Sequence, residues 1–129
     1  MGNGCNRCRG GGHWGGGVFI SARDQARLGL LMLRRGVWGD RRLLTGRWID
    51  LSTTPCPLNP QYGFLWWLNT GRQRYPSAPA TGFCAAGAGG NITWIDPAND
   101  LVAVLRWIDP AAVDGFLGKL VAALPAAIY

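Results

Sequence analysis

Between residues 91 and 107 the chain reads NITWIDPANDLVAVLRW, and its apolar side chains recur at every second position. Ile92 and Trp94 fall on one side, with Thr93 and Ile95 on the other. Leu101, Ala103, Leu105 and Trp107 then alternate with Val102, Val104 and Arg106. A period of two belongs to β-strands. Between the two runs, Asp96-Pro97-Ala98-Asn99-Asp100 is turn chemistry: Pro fixes φ, and Asp and Asn side chains bond nearby backbone. The pattern predicts two antiparallel strands. The second is apolar on both sides, as expected of an interior strand covered on two faces.

Elsewhere the period is helical. Ala22, Ala26, Leu30 and Leu33 recur behind Ser21, a capping residue with the acid Asp24 three positions on. Arg34-Arg35-Gly36 supplies cations and a glycine where that helix should end. Gly39-Asp40 predicts a tight turn, and Thr45 the cap of a short helix through Leu51. After Pro55, Pro57 and Pro60, the run YGFLWWLN at 62–69 is aromatic enough to predict a strand. A polar connection over 70–82 follows. Asp109-Pro110 caps and opens a last helix, with Val113, Phe116, Leu117, Leu120, Val121 and Leu124 on one stripe. The predicted class is α+β, an antiparallel sheet meander with a C-terminal helix packed on it.

A length of 129 residues and 48% hydrophobic content fit one globular domain. No apolar run approaches the roughly 18 residues of a membrane span, so no membrane partner is expected. Residues 1–17 contain 8 Gly and no apolar core of a signal peptide. They read as a Gly-rich N-terminal segment and the expected truncation point, ahead of a folded portion at 18–129. Cytoplasmic is the default location. The formal charge of +6 is uneven: residues 1–75 hold 11 Arg against 3 Asp, and residues 76–129 hold 2 basic against 4 acidic. Such a basic half suits solvated faces, or an Arg-rich interaction module such as a nucleic-acid binder.

Cys5 and Cys8, with His13, have half of a zinc-site spacing, but the second C-x-x-C is missing. Cys56 and Cys84 sit singly among apolar or small neighbours, where a buried free thiol is the default. No metal or other cofactor is expected.

The run Gly87-Ala88-Gly89-Gly90 raises the question of what needs so bare a backbone. A dinucleotide loop places its glycines between a strand and a helix. Here they precede a strand, and no Gly-Lys-Ser/Thr follows. Two readings remain, a structural corner and a strand edge that a ligand approaches.

Four stretches in order, GGGVFISARDQARLGLLML, LL with the Thr-capped helix, YGFLWWLN and GAGGNITWIDPANDLVAVLRW, resemble the C-terminal part of the serine β-lactamase-like hydrolases. That family includes class C β-lactamases, D-Ala-D-Ala carboxypeptidases, esterases and 6-aminohexanoate oligomer hydrolases. The resemblance implies part of a β-lactamase-like fold, and an edge strand that pairs with the substrate backbone. The family's Lys/His-Thr/x-Gly triplet would fall on Ala85, Ala86 and Gly87. Gly89 and the His13-Trp14 segment would also line the substrate side. Ala85 in place of a cation or imidazole points away from binding a substrate carboxylate and toward the amide- and ester-hydrolysing branch.

The family nucleophile lies in Ser-x-x-Lys, where the Lys assists removal of the hydroxyl proton. Ser21, Ser52 and Ser77 are the only serines, none has Lys three residues on, and Lys119 is the only Lys. The family's Tyr-x-Asn motif has no match among Tyr62, Tyr75 and Tyr129. The expected chain is thus a C-terminal fragment or split half of such a hydrolase, without catalytic residues and inactive alone. It would meet a small amide or ester substrate only beside a complementing chain that carries the missing half. In that reading no nucleic acid is bound. The alternatives are the Arg-rich interaction module and a small zinc protein.

Overall fold

The computed structural model of the chain describes residues 20–124. Helix α1 spans Ala22–Leu33, and the Ser21 hydroxyl oxygen accepts the Asp24 N–H as expected of an N-cap. The Arg35 N–H donates to the Met32 carbonyl and the Gly36 N–H to the Leu31 carbonyl, a Schellman closure. Strands β1 (Val37–Trp38) and β2 (Arg41–Arg42) form a small hairpin through Gly39-Asp40. Helix α2 (Gly46–Ser52) is capped by Thr45.

The main sheet has four antiparallel strands in sequence order, β3 (Trp67–Leu68), β4 (Phe83–Gly87), β5 (Asn91–Asp96) and β6 (Leu101–Leu105). Helix α3 (Val113–Ala122) follows a 3-10 turn whose Asp109 carboxylate accepts the Ala111 N–H. The class is α+β, with the meander and the C-terminal helix in place.

Alternation along the strands divides the core into two layers. Cys84, Ile92, Trp94 and Leu105 meet Val113 and Leu117 of α3 on one face. Phe83 and Ile95 meet Met32 of α1 and Ile49 of α2 on the other, together with Leu68. The sheet is thus covered on both sides, as the doubly apolar pattern of 101–105 requires.

Three local expectations are corrected. The buried stripe of α1 includes Gly29 and Met32, whereas Ala22 and Leu30 are exposed. Gly29 sets that rotation: a Cβ there would lie 2.6 Å from Val102 Cγ1 and 3.0 Å from Thr93 Cγ2. The helix approaches β5 and β6 by its one bare position. Secondly, only Trp67 and Leu68 of the stretch 62–69 form a strand. Leu65 takes φ +64, the Gly63 N–H donates to the Trp66 carbonyl, and the chain folds back so that Tyr62 bridges Trp67. Thirdly, Trp107 leaves the strand alternation with φ +58 and is 75% exposed, and Phe116 on α3 is exposed as well.

The connection over 70–82 has an organiser that periodicity does not reveal. Asn69 is fully buried. Its amide nitrogen donates to the carbonyls of Tyr75, Ala78 and Pro79 at 3.0, 3.2 and 3.0 Å, and its oxygen accepts the Tyr75 N–H at 2.8 Å. One side chain satisfies four backbone groups of a loop that lacks a ladder of its own.

Candidate functional site

Strand β4 outlasts its neighbour. β3 pairs with it only through Trp67↔Cys84 and Leu68↔Phe83, while β4 runs on to Gly87. The turn at Leu65 carries the rest of the partner segment away. The Asn69 N–H donates to the Gly82 carbonyl at 2.9 Å. Because backbone groups alternate sides along a strand, Gly82, Cys84 and Ala86 present theirs to the β3 side. Ala86 therefore offers an N–H and a C=O at an edge where no strand stands opposite among the described residues.

A concavity of about 510 Å³ lies at this edge, with Ala86, Gly87 and Gly89 in its wall beside Arg74, Tyr75 and Val113. Of the residues expected on the substrate side, the structure gathers these three. Ala85 points elsewhere: its register partner is Thr93, on the face that packs against α1. His13 and Trp14 lie outside the described residues, as do Cys5 and Cys8.

The glycines divide by cause. Gly89 has φ +75, and a Cβ there would come 2.5 Å from a carbon of the Trp107 ring. Gly90 has φ +69 and abuts the Ile108 carbonyl, so both are required by the corner. Gly87 is different. A Cβ there meets nothing nearer than the Asn91 carbonyl oxygen at 3.9 Å. Nothing inside the chain accounts for its bareness, and it lines the concavity through its backbone, because a side chain there would point to the same face as Ala85.

Arg74 and Tyr75 also line the concavity. The Arg74 guanidinium lies 4.4 Å from the centroid of Trp67 and 5.4 Å from that of Tyr75, and its Nε is buried without a hydrogen-bond partner. Tyr75 packs edge-on against Trp94 at 5.7 Å. Beneath them Cys84 is fully buried. Burial pushes its thiol from 9.0 up to about 11, outweighing Arg74 and Tyr75, which pull it down. Such a thiol stays protonated near neutral pH and is not a nucleophile. Burial likewise raises the Tyr75 hydroxyl, with Cys84 adding to the rise against the downward pull of Arg74.

The serine hydroxyls are engaged in structure. Ser21 donates to the Asp24 carboxylate at 2.6 Å, Ser52 to the Ile49 carbonyl at 2.9 Å, and Ser77 to the Asp114 carboxylate at 2.9 Å. None of these partners is a Lys or His, so no activated nucleophile stands at the concavity among the described residues. Nor, among the described residues, do three His, Cys, Asp or Glu side chains gather as a metal site needs.

Several arginines of the basic half have structural partners. Arg34 grips Asp100 and Arg35 grips Asp50, each through two bonds, and Arg27 pairs with Asp24. Arg42 donates to the Arg35 and Leu44 carbonyls. A second hollow of about 330 Å³, on the α1 and α2 face, is mostly apolar, and its arginine is Arg35, already paired.

Sequence reasoning missed Arg74 and Tyr75. They lie in a polar connection with no motif, and only the folding of that connection over Trp67 brings them to the glycines. In comparisons with known proteins, no family model matches the chain, and no curated protein matches it.

Proposed function

We propose that the chain forms the substrate-side wall of a serine hydrolase of the β-lactamase-like kind, acting on amide or ester bonds. The observation that carries this reading is the free edge of Ala86 at a concavity, next to a glycine that the fold does not itself require. An extended amide or ester adds to such an edge through main-chain hydrogen bonds, donating to the Ala86 carbonyl and accepting from its N–H. Gly87, the next residue, lines the same concavity through its backbone.

The nucleophile comes from a complementing chain that carries Ser-x-x-Lys. Its Ser oxygen attacks the carbonyl carbon, the Lys takes the hydroxyl proton, and that proton passes to the departing amine or alcohol. Water then releases the acyl group as an acid and restores the Ser. The role of the present chain is to position the scissile bond, which by itself contributes a large share of such rate enhancements.

The test pairs this chain with such a nucleophile-bearing half. The chain alone should not hydrolyse p-nitrophenyl esters above buffer and should take up no fluorophosphonate probe. Co-expression should yield ester or amide hydrolysis, with the probe on the partner's Ser. Stoichiometric labelling of Ser21, Ser52 or Ser77 would sink the proposal, as would a complex that remains inert.

A further inference from the structure

We propose that β6 is the seam of a dimer, in which two copies of this chain join their sheets edge to edge about a two-fold axis at Ala103. The inference goes beyond the proposed function, since β6 lies at the opposite edge of the sheet from the Ala86 concavity.

Strand β6 has the composition of an interior strand and the place of an outer one. All five residues of Leu101–Leu105 are apolar, and no strand stands beyond them among the described residues. Outer strands ordinarily carry a charge, a proline or a bulge that discourages pairing. β6 carries none of these, and its register with β5 is regular throughout.

The ladder fixes where its backbone groups point. Gly82, Cys84 and Ala86 turn theirs toward β3, so Phe83, Ala85 and Gly87 bond β5. Carried across Trp94↔Ala103, the same alternation turns Leu101, Ala103 and Leu105 toward β5. Val102 and Val104 are left with an N–H and a C=O each on the open side. An antiparallel second copy centred on Ala103 meets all four groups. Val102 then stands opposite Val104 of the other copy in a hydrogen-bonded pair, twice over, and Ala103 faces its own counterpart on the axis.

This register also sets Asp100 against Arg106 of the other copy at both ends of the seam. Arg106 bonds the Asn91 side chain at 3.0 Å and the Ile20 carbonyl at 3.1 Å, neither of them an anion. Asp100 holds Arg34 and remains exposed. Backbone and charge therefore favour one alignment.

Helix α1 fits the same axis. Its Gly29 lies over Val102 and Thr93, so the helix is seated between β6 and β5, level with Ala103. Strands stand about 4.8 Å apart, which sets the two helices about 10 Å apart across the seam, the spacing of packed helices. Leu30 lies on the seam side of α1, one turn before Arg34, which bonds Asp100 at the head of β6. It is 37% exposed, and with Val37 and Trp38 it lines an open hollow of about 380 Å³. In the dimer it meets its own counterpart. At the far edge Gln61 and Tyr62 bridge the short β3, and Ala86 alone offers free groups among the described residues. The assembly therefore closes at two copies and does not grow into a filament.

The experiment follows the full chain by sedimentation velocity at low micromolar concentration, and the Val102 and Val104 amides by hydrogen exchange. The expected result is a dimer with both amides protected. Leu30→Glu sets two carboxylates against each other across the axis at an exposed position. It should give a folded monomer that loses at least about tenfold in that protection. Val104→Pro removes an outward N–H from an outer strand and should also give a monomer, a second variant if the first disturbs α1. Ala103→Cys should form an interchain disulfide through position 103, because facing Cα atoms in such a pair stand about 4.5 Å apart. A monomeric parent with unprotected amides overturns the proposal, as does a dimer that survives both variants. A monomer with both amides protected would show that a segment of the same chain covers the edge. A dimer that gives way to the nucleophile-bearing half on co-expression, with the amides still protected, would assign the edge to that half. Either result overturns the second copy as occupant and leaves the reading of Ala86 standing.

Discussion

Gly87 and Gly90 stand three residues apart, and the forces on them differ. Gly90 is held at a left-handed φ against a backbone carbonyl, so Gly90→Ala should cost more than about 1 kcal/mol and lower the melting temperature measurably. Gly87 lies in extended backbone with open space beyond it, where a β-branched residue suits a strand. Gly87→Val should therefore melt within a few degrees of the parent. A Gly87→Val chain that unfolds would return the glycine to a structural role. Beneath the same wall, Cys84 and Tyr75 both have folded pKa values raised above their ordinary ones. For the thiol, the associated stability is fully present below about pH 9 and is lost as pH rises through about 11. Urea midpoints should therefore be level up to pH 9 and fall between 9 and 11, with Cys84→Ala removing part of the fall. An unchanged profile in that variant would show that Cys84 does not titrate as its burial requires.

At the scale of elements, a bare position decides how α1 lies on the sheet. Helical periodicity marked Ala22, Ala26, Leu30 and Leu33, but α1 rotates to bring Gly29 onto Val102 and Thr93. Overfilling a close helix–sheet contact costs about 1–3 kcal/mol. Gly29→Val should lower stability by that amount in urea unfolding, even though valine adds apolar area. A neutral or stabilising outcome would mean that α1 seats less closely than these distances indicate. Asn69 acts on the loop as a strand would, through hydrogen bonds. Asn69→Leu leaves three carbonyls and an N–H without their partner, each at roughly 1–3 kcal/mol if it stays buried. The expected result is the loss of the concavity's Arg74 wall before global unfolding, read as early hydrogen exchange at the Tyr75 amide.

For the molecule as a whole, the two core layers share β4 and β5, so neither can be dismantled without exposing the other. A considerable apolar surface remains outside them. Trp48 and Phe64 pack against each other at 5.9 Å while both stay exposed, and Leu51 and Leu65 are exposed as well. Clustered apolar surface of this kind drives association. The isolated chain should associate beyond the dimer at high micromolar concentration, and the pair Trp48→Arg with Phe64→Lys should return it to dimer in sedimentation velocity at little cost in melting temperature. A parent no larger than a dimer at all concentrations would refute this.

The local patterns determined much of the architecture. Strand alternation over 91–105, the Ser21 and Thr45 caps, the Asp96 turn and the Asp109-Pro110 helix start depend on neighbours within a few residues, and the sequence displays those neighbours directly. Alternation even assigned Ile92 and Trp94 to one core layer and Ile95 to the other. The turning back of 62–69 and the rotation of α1 were not legible, because a distant surface decides each. Phe64 bonds the Ser52 carbonyl, and Gly29 meets Val102. The candidate site follows the same division. The glycine run announced a bare backbone, since absent side chains can be read from any sequence. Which glycines the corner requires and which it leaves unconstrained depends on Trp107 and Ile108. Only tertiary structure could bring Arg74 to the concavity, because a cation's partners are set by the path of the chain around it and not by its position along the chain.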